Sequence, residues 1–339
     1  MPKRHLIPVF VPHLGCPNAC VFCNQNRITG EIAPATAKTV EDAISAARTI
    51  IPEDMAAELA FYGGSFTAIP IEEQEALLSA ADDFLCENEN NTLRLSTRPD
   101  CIDENTLLRL KAHNVCTIEL GAQSMCDAVL KASDRGHTAE DTRKAARLIK
   151  EMGFQLILQM MTGLPGDTFE NTKKTAQEII ALQPDGVRIY PTVVIKDTPL
   201  CCMWEKGTYK EHTVKEAVAW CAELVPMFKD TGIEIIRLGL NPSEELSGGA
   251  AAAGAYHPAF GQLVYSEIYK KKAEELLKEV SPGYSVVLGV AKGKTSLMVG
   301  QKRNNIIMLT ETFKLKSLKV KETDVNDDEI VLFSVEKQD

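Results

Sequence analysis

Residues 14–23 have the sequence LGCPNACVFC, in which Cys16, Cys20 and Cys23 form a C-x3-C-x2-C pattern. Three thiolates at this spacing can bind three irons of a [4Fe-4S] cluster and leave the fourth iron without a protein ligand. A structural cluster or a zinc site normally has a fourth cysteine or histidine ligand. No such residue lies within this stretch, although His13 directly precedes it. The pattern therefore favours a cluster with one open iron, over three structural cysteines or a zinc site whose fourth ligand is remote.

The composition indicates a globular protein with a large domain and a smaller second one. Of its 339 residues, 45% are hydrophobic, which is enough for a sizeable core. No apolar run approaches the roughly 18 to 20 residues of a membrane span, and the first residues do not resemble a signal peptide. The remaining cysteines are scattered, as in a reduced cytosolic protein. We therefore expect a cytoplasmic location and no membrane partner.

Apolar runs alternate with amphipathic stretches along the first two thirds of the chain, which is typical of parallel βα units. The predicted strands are residues 6–11, 58–62, 93–97, 117–120, 155–161 and 187–194. The predicted helices include residues 40–51, 71–86, 139–152 and 169–182. This order predicts an α/β fold, a partial (β/α)6 TIM-like barrel. Reactive groups of such barrels gather at the carboxyl ends of the strands, and the cysteine stretch follows the first strand.

Glycines and polar residues follow the other predicted strands, where they would surround the same end of the barrel. Paired glycines allow a ligand to approach the backbone closely. The candidate binding residues are Gly63, Gly64 and Ser65 after the second strand, Ser96 and Arg98 at the third, Gln123 at the fourth, and Arg135 before the next helix.

These motifs, in this order, resemble those of the radical S-adenosylmethionine (SAM) enzymes. Residues 162–168, TGLPGDT, and 187–195, VRIYPTVVI, resemble the branch that contains elongator complex protein 3 and the oxygen-independent coproporphyrinogen oxidases. The resemblance covers roughly residues 5–240. It implies that a [4Fe-4S] cluster binds SAM at the open iron and cleaves it reductively to a 5′-deoxyadenosyl radical. An electron donor such as ferredoxin or flavodoxin is implied as a partner.

The resemblance also implies roles for single residues. The iron would be bound by Cys16, Cys20 and Cys23, and the methionyl amino group by Gly63, Gly64 and Ser65. The ribose and carboxylate would contact Gln123 and Arg135, and the adenine would contact the backbone near Leu164. Ser96, Arg98 and Gln159 would also face the cofactor.

Some of these positions depart from the family or have another interpretation. Many relatives have glutamate at Ser96 and aspartate at Gln159, although a hydroxyl or an amide can still bond a ribose. Arg135 could instead be a solvated arginine or the ion-pair partner of Asp134. His137 is expected to cap or position a neighbour rather than bind metal. Cys201 and Cys202 could hold a second cluster or form a thiyl radical, but adjacent thiols are more often structural.

A loop-like stretch, residues 241–258, separates the two parts of the chain, and we place the domain boundary near residue 245. Residues 1–245 would form the radical SAM barrel and residues 246–339 a small α+β domain. The order strand 284–290, helix 292–298, turn 299–306 opening another helix, and strand 315–321 resembles the core of a KH RNA-binding module.

A KH module binds the phosphate backbone at a Gly-x-x-Gly loop. The corresponding candidate contacts are Gly300, Lys302 and Arg303, with Arg303 in place of the second glycine. Residues 283–320 carry a net charge of +6 in a chain of net charge −10. A lysine-rich solvated face would give the same pattern.

Three functions are compatible with these patterns. The first is a radical SAM enzyme that modifies tRNA or rRNA, and the second is one that acts on a small molecule or a protein. The third is a protein that binds the cluster and SAM without catalysis. Elongator complex protein 3 has a longer cysteine spacing and a fused acetyltransferase domain, for which residues 246–339 are too short, so acetyl transfer is not expected. No residue that reacts with the substrate is identified.

Overall fold

The computed structural model describes residues 5–11, 20–24, 34–52, 54–243 and 246–337. It has two compact units. The first is Met1–Val214 with Met227–Pro258, and the second is Lys215–Pro226 with Ala259–Asp339. The chain thus enters the second unit for Lys215–Pro226 and again after Pro258, whereas the sequence suggested one boundary near residue 245.

The first unit is built on a seven-stranded sheet with the order β1-β2-β3-β4-β5-β6-β8, in which all neighbours are parallel. The strands are β1 (His5–Val11), β2 (Ala57–Gly63), β3 (Thr92–Thr97), β4 (Val115–Gln123), β5 (Gln155–Thr162), β6 (Gly186–Pro191) and β8 (Glu234–Leu238). The predicted α/β fold, a partial TIM-like barrel, is confirmed, and β8 adds a seventh strand to the six that were predicted.

The sixth predicted strand is interrupted. β6 ends at Pro191, and the chain continues into β7 (Val193–Ile195), which pairs antiparallel with β9 (Ala251–Gly254) in a separate sheet. Proline has no backbone N–H and therefore often ends a ladder. The predicted strand 187–194 is therefore divided between two sheets.

The helices that connect these strands mostly begin where the sequence places a capping residue. Thr36 and Thr138 each form a reciprocal capping box, and the side chains of Asp103, Thr168 and Thr198 also accept a hydrogen bond from the first turn. The helices are α1 (Ala37–Arg48), α2 (Ile71–Ser79), α3 (Asp82–Glu87), α4 (Glu104–Ala112), α5 (Asp127–Ala132), α6 (Ala139–Glu151), α7 (Phe169–Ala181), α8 (Pro199–Glu205) and α9 (Val214–Lys229). The predicted helix 71–86 is in fact two helices, α2 and α3.

Strand residues on one face of this sheet form the apolar core with the helices. Ile7 and Val9 of β1, which alternate with exposed residues, and Leu93 and Leu95 of β3 are buried. Burial of such side chains contributes roughly 1.5 to 3 kcal/mol each relative to exposure. The alternation fixes which face of each strand turns toward the helices.

The opposite face of the sheet carries a buried network of charges centred on Glu119 of β4. Glu119 Oε1 accepts hydrogen bonds from Arg94 Nη1 (2.8 Å), Arg188 Nη2 (2.9 Å) and the Tyr62 hydroxyl (3.2 Å). Arg94 Nη2 also lies 2.6 Å from Glu58 Oε2. The network joins β2, β3, β4 and β6 and pairs two carboxylates with two guanidinium groups.

These contacts change the acid–base properties of the network. Burial, followed by the charge of Glu119, raises the pKa of Tyr62 well above its usual value. Burial alone would lower the pKa of Arg188, but Glu119 raises it. Tyr62 therefore stays a neutral hydrogen-bond donor at pH 7.

The second unit contains a three-stranded sheet with the order β11-β10-β12, three helices of its own and residues 215–226 of α9. Its elements are α10 (Phe260–Leu277), β10 (Ser285–Val290), α11 (Thr295–Val299), α12 (Asn304–Thr312), β11 (Ser317–Glu322) and β12 (Ile330–Glu336). β10 pairs parallel with β11 and antiparallel with β12. Tyr269, Leu288 and Met298 lie in its buried core. The strand–helix–turn–helix–strand order matches the predicted order, and the KH likeness stays a prediction.

In the described part of the chain, no helix is both long and apolar enough to cross a membrane.

Substitution Glu119→Gln should destabilise the first unit strongly. The substitution removes the charge that compensates Arg94 and Arg188, and breaking a buried ion pair costs about 3 to 5 kcal/mol. The free energy of unfolding, measured by chemical denaturation, should fall by that amount. The matched control is Asp42→Asn, since Asp42 pairs with Lys38 at an exposed site and its loss should cost less than about 1 kcal/mol. Equal losses for the two variants would contradict a stabilising role for the network.

Candidate active site

Two of the three predicted cluster ligands, Cys20 and Cys23, lie in one tight turn. The Cys23 backbone N–H donates to the Cys20 carbonyl oxygen at 3.1 Å. Cys20 is buried and Cys23 is partly exposed. Cys16 lies outside the described residues. The turn brings the second and third cysteines of the motif close together, as a shared cluster requires.

The backbone of Val21 is held from two sides. Its N–H donates to the Ser133 carbonyl at 3.1 Å, and its own carbonyl accepts from Leu200 N–H at 2.8 Å. The Val21 side chain packs in a buried cluster with Leu200 and Tyr209. The cysteine segment is therefore fixed between the end of α5 and the start of α8.

Cys201 belongs to the same packed cluster and has a structural environment. It is buried, and its thiol lies 3.8 Å from Glu205 Oε1. Burial and then Glu205 raise the pKa of this thiol. Cys202 is exposed. Among the described residues, no group of three or more Cys, His, Asp or Glu side chains could hold a metal ion.

Arg135 lies directly beside Cys20. Its Nη1 donates to Cys20 Sγ at 3.3 Å, and its Nη2 donates to the Gly121 carbonyl at 2.8 Å. The side chain is only 8% exposed, so the interpretation of Arg135 as a solvated arginine is wrong. A Cβ at Gly121 would lie 2.8 Å from both Arg135 Nη2 and Gln123 Nε2. The missing side chain of Gly121 therefore makes room for both residues.

The predicted cofactor residues of β4 and β5 contact each other. Gln159 Nε2 donates to Gln123 Oε1 at 3.2 Å. Gln123 has a φ of +63°, which is uncommon for a residue with a side chain. The positive φ occurs at the last residue of β4, next to the register shift with β5. Gln123, Gln159 and Arg135 thus lie around one point, the end of β4.

The glycine pair after β2 lies against the end of β1. Gly64 N–H donates to the Val11 carbonyl at 2.7 Å, and a Cβ at Gly63, where φ is +107°, would lie 2.7 Å from the same oxygen. Only glycine fits there. Ser65 Oγ accepts a hydrogen bond from Arg98 N–H at 3.2 Å and bonds Thr97 Oγ1 at 2.9 Å. Ser65 thus fixes the end of β3 in this structure.

Arg98 and Ser96 also lie at the end of β3. Arg98 is 1% exposed and donates from Nε and Nη2 to the Asp100 carboxylate at 2.9 and 2.8 Å. Its Nη1 has no hydrogen-bond partner among the described residues. Burial alone would lower the pKa of Arg98, but Asp100 and then Cys20 raise it. Ser96 is aligned with Glu119 of β4.

The turn after β5 is fixed by residues that sequence reasoning missed. Tyr209 donates its hydroxyl to the Gly163 carbonyl at 2.7 Å, and a Cβ at Gly163 would lie 2.3 Å from His212 Cγ. Asp167 N–H donates to the Leu164 carbonyl at 2.9 Å, which closes the turn. No motif surrounds Tyr209 or His212 in the sequence, so only tertiary structure reveals their contact with this turn.

His137 contacts the backbone at the end of β4. It is buried, and its Nε2 lies 3.1 Å from the Ala122 carbonyl, to which the neutral ring donates. Burial and the charge of Arg135 lower the pKa of His137 to about 4. The imidazole is therefore neutral at pH 7 and positions the β4 end.

These residues fit a [4Fe-4S] cluster and an amino-acid-bearing cofactor. Arg98 Nη1 and Arg135 Nε are buried donors without hydrogen-bond partners among the described residues. Buried donors of this kind are costly unless a ligand satisfies them. Both lie on cationic groups that interact with Cys20, where thiolate ligands and a cofactor carboxylate would supply negative charge.

Comparison with curated proteins gives two groups of relatives. The chain is 30% identical over 234 residues to a tRNA uridine(34) acetyltransferase from Methanocaldococcus infernus, covering 63% of this chain and 43% of the relative. It is 27% identical over 190 residues to human elongator complex protein 3, covering 50% of this chain and 35% of the relative. The chain thus spans less than half the length of these relatives.

Comparison with solved structures supports the fold. The archaeal Elp3 from M. infernus superposes with a TM-score of 0.62 at 23% identity, over 84% of this chain and 71% of that one. Coproporphyrinogen III oxidase (HemN) from Escherichia coli gives a TM-score of 0.50 at 18% identity, over 68% of this chain and 54% of that one.

Family models cover most of the chain. The model of the Radical SAM superfamily matches residues 10–179, half of the 339 residues, and the model of the Radical_SAM C-terminal domain matches residues 184–270. The first match contains the cysteine motif and the ends of β1 to β5. The cofactors predicted from the sequence, a [4Fe-4S] cluster and SAM, are those of this superfamily. The chain therefore belongs to the Radical SAM superfamily.

Proposed function

We propose that this protein is a radical SAM enzyme that modifies RNA, with tRNA as the substrate class. The observation that carries the first part is the contact of Arg135 with Cys20 at the end of β4, where the predicted cofactor residues meet. When bound, the cluster and SAM would supply radical chemistry in which a 5′-deoxyadenosyl group takes hydrogen from the substrate.

The chain's own residues would bind and orient these groups. Cys16, Cys20 and Cys23 would hold the iron. The backbone at Gly63 and Gly64, where no Cβ is tolerated, would approach the methionyl group. The cysteine segment and the glycine pair follow β1 and β2 at the same end of the parallel sheet, which supports this assignment.

The remaining predicted contacts follow the same order. Gln123 and Gln159, already hydrogen-bonded to each other, would bind the ribose, and Arg98 and Arg135 would provide cationic donors for the carboxylate. The turn at Leu164, fixed by Asp167, would receive the adenine. A one-electron donor such as ferredoxin or flavodoxin would reduce the cluster, which suits a cytoplasmic protein.

The relatives and the second unit support RNA as the substrate. The curated relatives that match 63% of this chain are named for a uridine in tRNA. In the second unit, the loop between α11 and α12 carries Lys302 and Arg303, which are exposed. The segment 283–320 has a net charge of +6, and clustered cations attract nucleic-acid phosphates.

The geometry of this loop suits a phosphate contact. Gly300 has a φ of +74°, and a Cβ there would lie 2.9 Å from Asn305 Cγ. Lys302 and Arg303 have φ values of +52° and +62°, in the left-handed region. Asn305 is buried and donates from Nδ2 to Ser266 Oγ at 3.0 Å, so the loop is anchored while its two cations stay accessible.

The test of the cofactor assignment is anaerobic reconstitution of wild type and the single variants Cys16→Ala, Cys20→Ala and Cys23→Ala. Each variant should lose the cluster, because three ligands are needed, and should form no 5′-deoxyadenosine from SAM under reducing conditions. Iron and sulfide content, absorbance and product chromatography measure this. The matched control is Cys202→Ala, since this thiol is exposed and outside the motif; it should behave as wild type.

The same assay separates the three functions. Stimulation of 5′-deoxyadenosine formation by tRNA supports RNA modification. If SAM is cleaved but RNA neither stimulates the cleavage nor gains a modified nucleoside, RNA is not the substrate. The substrate is then a small molecule or a protein. A stable cluster that never cleaves SAM overturns the proposal that the protein is an enzyme.

The double variant Lys302→Ala/Arg303→Ala should bind an unmodified tRNA transcript about tenfold more weakly. Loss of two phosphate contacts should also reduce the slope of log K against log salt by about 1 to 2. Filter binding at several salt concentrations measures both. The control Lys271→Ala/Lys278→Ala removes the same charge from α10 and the residue that follows it, where both lysines already pair with glutamates. If the two double variants weaken binding equally, the loop has no specific role.

A further inference from the structure

Arg135 carries a buried positive charge without a carboxylate partner among the described residues. Its two hydrogen bonds go to the Cys20 sulfur and to the neutral Gly121 carbonyl, and its Nε has no hydrogen-bond partner there. Burying a guanidinium group is costly unless an anion compensates its charge. The group nearest to supply that anion is the Cys20 sulfur, 3.3 Å from Nη1, which is a thiolate when it binds iron.

The position of Arg135 is built into the fold. The left-handed Asp134, with a φ of +48°, follows α5 and lets Arg135 N–H donate to the Leu130 carbonyl at 3.0 Å. Gly121 leaves space for Nη2 on the other side. The guanidinium group is thus held at Cys20 by backbone contacts at both ends and does not depend on an acidic neighbour.

Four other arginines of the first unit pair with carboxylates. Arg98 pairs with Asp100, Arg94 and Arg188 pair with Glu119, and Arg143 pairs with Glu178. Arg135 alone of these directs an N–H group to a predicted cluster ligand in the described part of the chain. Arg135 is therefore placed to donate a hydrogen bond to the Cys20 sulfur.

We propose that Arg135 is a positioning residue that raises the reduction potential of the cluster by donating its Nη1–H to Cys20 Sγ. The inference rests on the proposed function, in which Cys20 is a cluster ligand. Hydrogen bonds to ligand sulfurs and nearby positive charge both set the potential of iron–sulfur clusters.

The step concerned is the reduction of the oxidised cluster by one electron from a low-potential protein donor of the ferredoxin or flavodoxin class. No bond is formed or broken, and the charge of the cluster becomes more negative by one. The fixed charge and the N–H···S hydrogen bond of Arg135 stabilise this reduced state more than the oxidised one. This effect acts before SAM is cleaved and differs from a contact between Arg135 and the cofactor carboxylate.

The test is a redox titration of the reconstituted full-length protein in the absence of SAM, followed by electron paramagnetic resonance. The variants are Arg135→Met, which removes the charge and the hydrogen bond, and Arg135→Lys, which keeps the charge. The control is Arg143→Met, because Arg143 lies on α6 and pairs with Glu140 and Glu178. Iron and sulfide content must first show equal loading.

The cluster of Arg135→Met should be at least tenfold harder to reduce, which is about 59 mV more negative for one electron. Arg135→Lys should lie between this variant and wild type, and Arg143→Met should match wild type. A fully loaded Arg135→Met protein with the wild-type midpoint overturns the inference. Wild-type protein that assembles no cluster overturns the proposed function instead.

A second measurement covers the case in which no Arg135 variant assembles a cluster. Wild-type protein labelled with 15N-arginine is reduced and analysed by pulsed electron paramagnetic resonance. Magnetic coupling between an arginine nitrogen and the cluster is expected, and it should weaken in Gly121→Ala, whose Cβ would displace Nη2. Absence of arginine coupling in the loaded wild-type protein overturns the inference.

Discussion

The space left by the missing side chain of Gly121 is the constraint on which the geometry of the candidate site depends. The Arg135 guanidinium and the Gln123 amide both approach this position so closely that a Cβ would lie 2.8 Å from each. Because Arg135 can lie there, it reaches Cys20, and because Gln123 can lie there, it reaches Gln159. One glycine at the end of β4 thus connects the cysteine segment, the fourth strand and the fifth.

The strands could be predicted from apolar runs and the helix starts from capping residues, because both signals are local in the sequence. Residues such as Thr138 and Thr168 begin helices where the sequence predicts them. β8 was missed because it is short: it has only five residues, of which Ile235, Ile236 and Leu238 are apolar, and none of them is fully buried. The predicted helix 71–86 divides at two alanines, Ala80 and Ala81, which carry no sequence signal for a break.

The sequence predicted which strand ends form the site, but not which side chains contact each other there. Each motif follows a strand, and parallel strands bring their carboxyl ends together, so the gathering of Gly63, Gln123 and Gln159 follows from order alone. The contact between Cys20 and Arg135 spans 115 residues, and nothing local specifies it. The charge network around Glu119 is similar, since its members are single charged residues within otherwise apolar strands.

That charge network has a consequence for how the protein can change over time. Its carboxylates and guanidinium groups pair with one another within the sheet, so their charges are compensated before any ligand binds. The segments beyond the strand ends are therefore the part of the first unit in which substrate-selecting groups can change most easily. Those segments can vary while the buried charges stay the same, and a new substrate range could be acquired by loop replacement without redesign of the barrel interior.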